Sequence, residues 1–352
     1  MTARSAPGTA LAPRLPASLL AYLILVALVL SGAVAIAFGA VSIPVAKVVG
    51  IVGQEIGWPL GPVDWSRAER NIVWELRLPR VILGAVAGAG LAAVGAVLQV
   101  LTRNSLADPY LFGVSAGAAM GAVVVILYLG NWAGPLTLPA AAFLGALAAM
   151  ILVFVAARSR HGAPTSERLV LTGVAVAFVL QAGTNFMITS SLDRGAEAAL
   201  FWLAGGLGAA RWVSLPVPCL ITLMGTFWLI LRAPVVNTLA FGDDTARSLG
   251  IDPHRLRMEM FVVTALITGA VVSATGGIGF VGLVLPHIVR LVVGGDLRRL
   301  LPVAVPLGAL FLVWVDVLAR AAFAPREIPL GVLTASLGGA FFLWLMRQRS
   351  RI

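Results

Sequence analysis

Charged residues are scarce in this chain. Of its 352 residues only 11% are Asp, Glu, Lys or Arg, and 60% are hydrophobic. Soluble domains carry about 25% charged residues. Apolar runs of about 20 residues recur along the whole chain, and each is long enough to cross a hydrocarbon core of about 30 Å. The shortage of charge therefore excludes a soluble globular domain and predicts a membrane protein with many spans.

Cysteine, lysine and histidine are almost missing as well. The single cysteine, Cys219, excludes an internal disulfide, and the single lysine, Lys47, lies in no G-x-x-x-x-G-K-[ST] sequence. The chain therefore has no P-loop to hold ATP phosphates, so any ATP that drives transport must be hydrolysed by another chain. The three histidines are too few for the ligand sets of metal sites, and we expect neither a metal nor a cofactor.

Ten apolar segments predict an all-α polytopic membrane protein with about ten transmembrane helices. These segments are 17–40, 79–102, 110–130, 136–157, 168–190, 213–232, 259–275, 278–294, 302–322 and 329–346. An even number of spans places both termini on one side of the membrane. Arginines in the tails, residues 1–16 and 347–352, place that side in the cytoplasm. Residues 17–346 then form one transmembrane domain.

The net charge of +10 raises the question of a nucleic-acid partner. The basic residues lie in short loops and in the two tails, and most of these residues fall on the predicted cytoplasmic side. This distribution is the positive-inside bias of membrane proteins. We therefore expect membrane lipid around the chain and no nucleic acid.

The segment TGGIGFVGLVLPHIVR contains G-x-G-x-x-G at Gly277, Gly279 and Gly282. A dinucleotide-binding fingerprint needs a strand before it, a soluble helix after it and an acidic residue about 20 positions on. Here the glycines join two apolar spans. Small residues let helix backbones approach closely in membranes, so the pattern predicts packing, as do Gly84 and Gly88 in the second span.

A polar segment between the sixth and seventh spans, LAFGDDTARSLGIDPHRLRMEM, carries helix-capping signals. Asp243 can cap the start of a short helix that Gly250 ends, and Asp252 followed by Pro253 can start the next helix. Two capped pieces in one loop predict a rigid ledge at residues 239–258. The ledge is either a connector or a docking surface for a cytoplasmic partner.

Three arginines lie on the predicted outer side. Arg77 and Arg80 flank Pro79, where the second span begins, and Arg320 ends the ninth span. An arginine at a helix N-terminus faces the positive end of the helix dipole, which costs about 0.3–1 kcal/mol. These side chains could snorkel to the interface or meet carboxylates of a partner. Asp316, four residues before Arg320, could pair with it.

Six blocks of the sequence resemble, in family order, the FecCD-type permeases of ABC importers. The blocks are RLPR (77–80), RNSLADPYLFGVSAGAAMGA (103–122), FWLAGGLG (201–208), LAFGDDTARSLGI (239–251), GIGFVGLVLPHIVR (277–290) and EIPLGVLTASLGGAFFLWLM (327–346). The resemblance implies a type II ABC importer permease in the bacterial inner membrane. It also implies a homodimer with the translocation path along the dimer axis, two cytoplasmic ATP-binding subunits and a periplasmic substrate-binding protein.

The resemblance also implies roles for individual residues. By position, Arg77, Arg80 and Arg320 look like the arginines that meet glutamates of the binding protein. The ledge looks like the loop that couples to the ATPase, through Gly242, Asp243, Asp244, Ala246, Arg247 and Gly250. Thr165 and Ser166, in APTSERLVLTG, are similar to the cytoplasmic gate.

A carrier driven by an ion gradient is the alternative. Such carriers need ionisable groups or broken helices within the membrane, and Asp316 is the only deep acidic residue. No catalytic carboxylate pair or Ser-His-Asp set lies in the spans, so we expect no enzyme. The sequence thus favours an importer permease for an iron chelate (haem or ferric siderophore) or a corrinoid, and no residue decides among these ligands.

Overall fold

The structure is a computed structural model. It describes residues 16–39, 41–59, 61–157, 166–191, 195–322, 324 and 326–349. Within these ranges the secondary structure is helical, and no β-strand occurs among them.

Fourteen α-helices follow one another in the described ranges. They are α1 (Ala17–Ala37), α2 (Val45–Glu55), α3 (Arg67–Asn71), α4 (Leu78–Leu101), α5 (Val114–Val124), α6 (Thr137–Ala157), α7 (Ser166–Ser190), α8 (Gly195–Leu203), α9 (Pro216–Val236), α10 (Asp243–Ser248), α11 (Pro253–Thr275), α12 (Val281–Val293), α13 (Leu297–Ala321) and α14 (Leu330–Arg349). A π-helical segment, Ile72–Arg77, joins α3 to α4, and another, Val125–Leu129, extends α5.

Seven helical stretches are long and apolar enough to cross a membrane. They are Ala17–Ala37, Arg67–Leu101, Gly134–Ala157, Arg168–Ser190, Pro216–Phe241, Pro253–Thr275 and Leu297–Ala321. Three shorter apolar helices, Val114–Leu129, Val281–Val293 and Leu330–Leu345, occupy the remaining predicted spans. The all-α polytopic architecture is confirmed, with three of its ten apolar helices shorter than a full crossing.

The second span begins earlier than the sequence analysis placed it. Ser66 accepts a hydrogen bond from the backbone N–H of Glu69 at 3.2 Å, and the Glu69 carboxylate accepts one from the N–H of Ser66 at 2.7 Å. This reciprocal capping box starts a helical stretch that continues without interruption through the π segment to Leu101. Arg77 and Arg80 therefore lie inside a long helix, and the placement of both arginines at a helix N-terminus is wrong.

Helix α4 is the centre of the molecule, because 78% of its apolar stretch is buried. Glycines bring its backbone against the neighbouring helices. A Cβ atom on Gly88 would lie 2.0 Å from the carbonyl oxygen of Gly308 in α13, and one on Gly95 would lie 1.8 Å from that of Gly282 in α12. The packing role predicted for Gly88 and Gly282 is confirmed, and close helix contact of this kind needs residues without side chains.

The predicted break between α11 and α12 is present in the structure, and its glycines also pack against another loop. Helix α11 ends at Thr275, and Gly276 follows with φ +67°, a left-handed conformation that glycine adopts freely. A Cβ on Gly205 would lie 2.2 Å from the carbonyl oxygen of Gly277, so two loops touch here through their backbones. The structure therefore uses these glycines for a turn and for close contact.

Candidate functional site

The three outer arginines meet at one end of the molecule. Arg77 and Arg80, before and within α4, and Arg320, near the end of α13, gather around the C-terminal end of α1. Their exposed fractions are only 7%, 8% and 6%. The sequence analysis predicted their clustering on one side, but not their burial.

Arg77 caps α1. Its Nη1 donates hydrogen bonds to the carbonyl oxygens of Ile36 at 2.8 Å and Ala37 at 3.0 Å, and its Nη2 donates to the carbonyl oxygen of Val41. The last carbonyls of a helix lack partners within it, and they form the negative end of the helix dipole, where a cation is stabilising. The dipole of α1 therefore stabilises Arg77, whereas the sequence analysis expected a helix dipole to destabilise it.

Arg320 completes the same cap. It donates to the carbonyl oxygens of Phe38 and Ala35, both at 3.0 Å, and its Nε lies 3.0 Å from a carboxylate oxygen of Asp316. The predicted pair between Asp316 and Arg320, four residues apart on one helix face, is confirmed. Arg320 therefore ties α13 to the end of α1.

Arg80 joins the network from α4. Its Nε donates to Asp316 at 2.8 Å and its Nη1 donates to Glu327 at 2.9 Å. Asp316 is only 1% exposed and lies between the guanidinium groups of Arg80 and Arg320. Asp316 therefore supplies a carboxylate to Arg80 as well as to Arg320, whereas the sequence analysis paired it only with Arg320. The docking role of the three arginines stays a prediction. A buried charge needs a partner of opposite sign, and the chain supplies it.

An open cleft of about 390 Å³ lies over this network, and we call it the outer cleft. It is lined by Gly39, Val41, Ile72, Leu76, Arg77, Arg80, Gly208, Arg211, Arg320 and Glu327. Counting Asp316 beneath it, four arginines face two carboxylates, so its formal charge is 4 − 2 = +2. The sequence analysis missed Arg211, which is exposed. In the sequence, only its position shortly after the block FWLAGGLG (201–208) could have pointed to Arg211.

The ledge is built as a short helix with a glycine end. Gly250 has φ +75°, and its N–H donates to the carbonyl oxygen of Arg247 at 2.9 Å, while the N–H of Ile251 donates to that of Ala246 at 3.0 Å. This bond pair is the Schellman arrangement, in which a left-handed residue closes a helix. The predicted helix end at Gly250 is confirmed.

Asp243 does not cap this helix, and that prediction is wrong. Gly242, with φ +115°, occupies the cap position, and Asp243 is the first helical residue. Its carboxylate accepts hydrogen bonds from Arg103 Nη2 at 2.7 Å and from Arg257 Nη1 at 2.9 Å. The Arg257 and Arg103 guanidiniums lower the pKa of Asp243. Because Arg103 follows α4 and Arg257 lies in α11, Asp243 ties the ledge to two spans.

The second cap of the ledge agrees with the sequence. The Asp252 carboxylate accepts from the backbone N–H groups of His254 at 2.9 Å and Arg255 at 3.3 Å, with Pro253 as the first helical residue. These hydrogen bonds lower the pKa of Asp252. Helix α11 thus starts at Pro253, six residues before the predicted span.

The ledge presents an apolar and charged surface. Phe241 and Leu249 are 78% and 63% exposed, and Asp244 and Arg247 pair on the same surface at 3.1 Å. Ala246 is fully buried beneath them. Large apolar side chains exposed on a rigid support are typical of protein contact surfaces.

The predicted gate is only partly described. Thr165 lies outside the described residues, and Ser166 is the first residue of α7. The role of both residues in gating stays a prediction.

A second cleft, of about 410 Å³, lies between α5, α7 and the break after α11. We call it the central cleft. Tyr110, Gln181, Trp202 and Gly277 line it, and the Tyr110 hydroxyl accepts a hydrogen bond from the backbone N–H of Ile278. Irregular backbone is tolerated at membrane depth where it is buried in protein or lines a cavity. The cleft is thus a candidate section of a transport path.

Comparison with known sequences finds relatives along nearly the whole chain. The profile of the FecCD transport family matches residues 17–348. The vitamin B12 import permease of Vibrio cholerae is 42% identical over 282 residues, covering 80% of this chain and 84% of that protein. The hemin transport permease of Yersinia pestis is 37% identical over 301 residues, covering 82% and 88%. The Fe(3+)-citrate import permease YfmE of Bacillus subtilis is 36% identical over 338 residues, covering 95% and 96%.

A solved structure has the same fold. It is an ABC transporter that its description assigns to the metal-chelate type, in an inward-facing conformation, and it superposes with a TM-score of 0.80 at 25% identity. The match covers 93% of this chain and 98% of that one.

Fold and comparisons together define a multi-pass membrane permease. The chain belongs to the FecCD transport family. Its relatives are permease subunits of ABC importers, so the importer class predicted from the sequence is confirmed and is favoured over an ion-gradient carrier. A permease subunit of this class is not itself an ATPase.

Proposed function

We propose that this chain forms a homodimer that imports an iron chelate (haem or a ferric siderophore) or a corrinoid by ATP-driven alternating access. The observation that carries the proposal is the family match over residues 17–348, together with relatives named for vitamin B12, hemin and Fe(3+)-citrate. The importer sits in the bacterial inner membrane with both tails in the cytoplasm.

Two cytoplasmic ATP-binding subunits supply the energy and bind the ledge. The residues proposed for this contact are Gly242, Asp243, Asp244, Ala246, Arg247 and Gly250. The exposed side chains of Phe241 and Leu249 add apolar contact area to this surface. A rigid ledge transmits force because Asp243 links it to the end of α4 through Arg103 and to α11 through Arg257.

A periplasmic substrate-binding protein docks at the outer cleft and delivers the ligand. Arg77, Arg80 and Arg320 are proposed as its docking arginines, and the net positive charge of the cleft supports a partner that presents carboxylates. Selectivity for the ligand then lies in the binding protein, because the permease offers few polar groups in the membrane.

The central clefts of two subunits line the translocation path along the dimer axis. Three exposed polar side chains on α7, Gln181, Asn185 and Thr189, follow one another every fourth residue, and Gln181 donates to Asn185 at 3.2 Å. A polar helix face is unfavourable against lipid and is accommodated beside water or protein. Thr165 and Ser166 are proposed as the cytoplasmic gate of this path.

Uptake into proteoliposomes tests the proposal. The permease is reconstituted with its ATP-binding subunits, and the loaded binding protein is added on the outer side. We expect uptake of haem, a ferric siderophore or cobalamin that requires ATP and is lost with an ATP-binding subunit that cannot hydrolyse ATP. Uptake that continues without ATP and stops when the ion gradient across the membrane is dissipated would refute the importer mechanism.

The ligand is identified by absorption spectroscopy of the binding protein purified from the cell. Haem, catecholate iron and corrinoids absorb at different wavelengths, so the spectrum of the bound compound distinguishes them. The compound found should also stimulate ATP hydrolysis by the reconstituted importer when it is carried by the binding protein. A compound outside these three classes would contradict the proposed cargo.

The ledge is tested separately. Leu249→Glu places a charge on the apolar part of the ledge and should weaken binding of the ATP-binding subunits, measured by the amount that co-purifies with the permease. Val63→Glu is the matched control, because Val63 is 60% exposed but lies on the predicted outer side. Equal recovery of the ATP-binding subunits with both variants would make the ledge a mere connector.

A further inference from the structure

The connector between the first two spans contains a helix, α2, that the proposed function does not use. One side of this helix packs on the rest of the protein. Val48 and Ile51 are 1% and 0% exposed, and they belong to one apolar cluster with Ile36 and Ala37 at the end of α1. The connector is therefore a folded element that is fixed to the outer end of α1.

Two ion pairs fix the same helix to α3. Lys47 Nζ lies 3.1 Å from a carboxylate oxygen of Glu69, and Arg70 Nη2 donates a hydrogen bond to Glu55 at 2.8 Å. Lys47 and Glu55 are the charged residues of α2. Helix α2 thus uses both of its charges on α3, and its orientation relative to α1 and α3 is set from two directions.

A different side of α2 is an exposed apolar stripe. Val45, Val49 and Ile56 are 40%, 41% and 65% exposed, and Val52 between them is half-buried. These positions follow the spacing of one helix face, which repeats every three or four residues. Trp58, which is 72% exposed, follows at the end of the helix. We call these five residues the α2 stripe, and none of them carries a charge.

The end of α1 sets the depth of α2 in the membrane. The N–H of Ile43 donates to the carbonyl oxygen of Ala37, the last residue of α1, at 3.1 Å, and α2 begins two residues later at Val45. Only 11% of the apolar stretch of α1 is buried in the protein, so α1 is a lipid-facing span. A helix that begins where such a span ends lies at the level of the lipid headgroups, which extend the core of about 30 Å to about 40–45 Å.

This placement matches the chemistry of the α2 stripe. A helix with apolar residues along one side and charged residues on another lies in the plane of the membrane interface, with its apolar side toward the acyl chains. Tryptophan prefers the headgroup level, because its ring is apolar and its indole N–H is polar. The stripe also continues the lipid-facing surface of α1, against which α2 packs.

We propose that α2 lies in the lipid headgroup region on the predicted outer side of the membrane, with the α2 stripe turned toward the acyl chains. The partner of this surface is the phospholipid leaflet. Gly39 and Val41, between α1 and α2, line the outer cleft, so the contact with lipid holds one wall of this cleft in place. The inference rests on the span α1 and does not depend on the proposed transport function.

Spin labels at single cysteines measure the depth of α2. In the permease complex Cys219, the one native cysteine, is replaced by serine, and Val49→Cys or Gln54→Cys is labelled in nanodiscs of phosphatidylcholine and phosphatidylglycerol. Gln54 is the matched control, because it is exposed and lies nine positions from Val45, about two and a half turns away and hence on the opposite side of α2. The ratio of oxygen accessibility to nickel-chelate accessibility should be roughly threefold or more higher at Val49, because such a stripe reaches about 5–10 Å below the headgroups.

A second measurement uses the wild-type permease complex and needs no substitution. A phosphatidylcholine with a diazirine near the start of one acyl chain is placed in the same nanodiscs, and light attaches it to neighbouring side chains. Mass spectrometry should find lipid adducts within residues 45–58. Residues 66–71, which contain the charged helix α3, are the control and should carry few adducts.

The outcomes decide which partner covers the α2 stripe. Equal accessibility ratios at Val49 and Gln54, or no lipid adducts within residues 45–58, overturn the inference and place the stripe in water. A Val49 label that is shielded from the nickel chelate only after the substrate-binding protein is added makes the stripe a protein contact and also overturns it. Spin–spin broadening between Val49 labels would show that a second copy of the chain covers the stripe, with the same consequence.

Discussion

Neutralising Asp316 should destabilise the permease more than any other single loss of charge at the outer cleft. The carboxylate is 1% exposed and lies 2.8 Å from Arg80 Nε and 3.0 Å from Arg320 Nε. Asp316→Asn keeps the shape of the side chain. Among the described residues it leaves Arg320 without a carboxylate partner and Arg80 with Glu327 alone. Breaking a buried ion pair costs about 3–5 kcal/mol. Because Glu327 still neutralises Arg80, we expect the low end, about 3 kcal/mol, or roughly a hundredfold in the unfolding equilibrium.

Reversible unfolding in mixed lipid and SDS micelles, followed by tryptophan fluorescence, measures this difference. Amide hydrogen exchange at residues 35–38 should also rise, because Arg320 loses its anchor and its hold on the end of α1 loosens. Asp64→Asn is the control for loss of a charge at an exposed position on the predicted outer side.

A double variant separates charge from packing. Replacing both buried ions by apolar residues of similar size is often neutral, so Asp316→Val with Arg320→Met should recover part of the loss. The recovery is incomplete because Arg320 also binds two carbonyls of the α1 end. If Asp316→Asn is no less stable than Asp64→Asn, the ion network does not hold this end of the molecule and the reasoning is refuted.

Three further predictions concern packing and the cytoplasmic side. Gly95→Val should destabilise the protein by at least about 1–3 kcal/mol and lower the yield of folded protein, because its Cβ would lie 1.8 Å from a backbone oxygen of α12. Gly339→Val is the control and should leave this yield nearly unchanged, because the space around Gly339 is open. Asp243→Asn should lower the free energy of unfolding by about 1.5 kcal/mol, because charge-assisted hydrogen bonds are lost, and the thermal midpoint should fall with it. Asp244→Asn should leave the midpoint unchanged, because that side chain is fully exposed. Equal midpoints for the two variants would show that Asp243 does not link the ledge to the spans. Hydrogen bonds from Arg298 lower the pKa of Asp296 to about 2. The ionised Asp296 therefore stabilises the fold fully above its usual pKa near 4, and this stabilisation is lost as pH falls to about 2. The thermal midpoints of wild type and Asp296→Ala should converge between these pH values, and a constant difference would contradict the role of the ionised carboxylate.

The order of the spans could be predicted from the sequence because hydropathy is a local property. A helix that crosses lipid needs about 20 apolar residues in a row, and such runs are visible without knowledge of their neighbours. The helix end at Gly250 and the cap at Asp252 were predicted for the same reason, since each depends on residues two to five positions away. The start of the second span was missed although its capping box, Ser66 to Glu69, was equally local.

The partners of charged residues could not be predicted in this way. Asp243 has the right type and position to cap α10, but Arg103, 140 positions earlier, and Arg257 bind its carboxylate instead. Arg211 lies in no motif of the sequence, and only the fold places it in the lining of the cleft that contains Arg80.

By itself, the sequence determined that this is an all-helical protein that spans a membrane many times. It also determined that the protein belongs to the importer class and has no P-loop. Those properties follow from composition and from short patterns. Only the tertiary structure decided that Asp316 lies between Arg320 and Arg80, 236 positions away from the latter. It also decided that Arg77 and Arg320 bind the carbonyl groups at the end of α1. The physical reason is that a buried charge takes the nearest opposite charge or dipole in space, and nearness in space is set by helix packing.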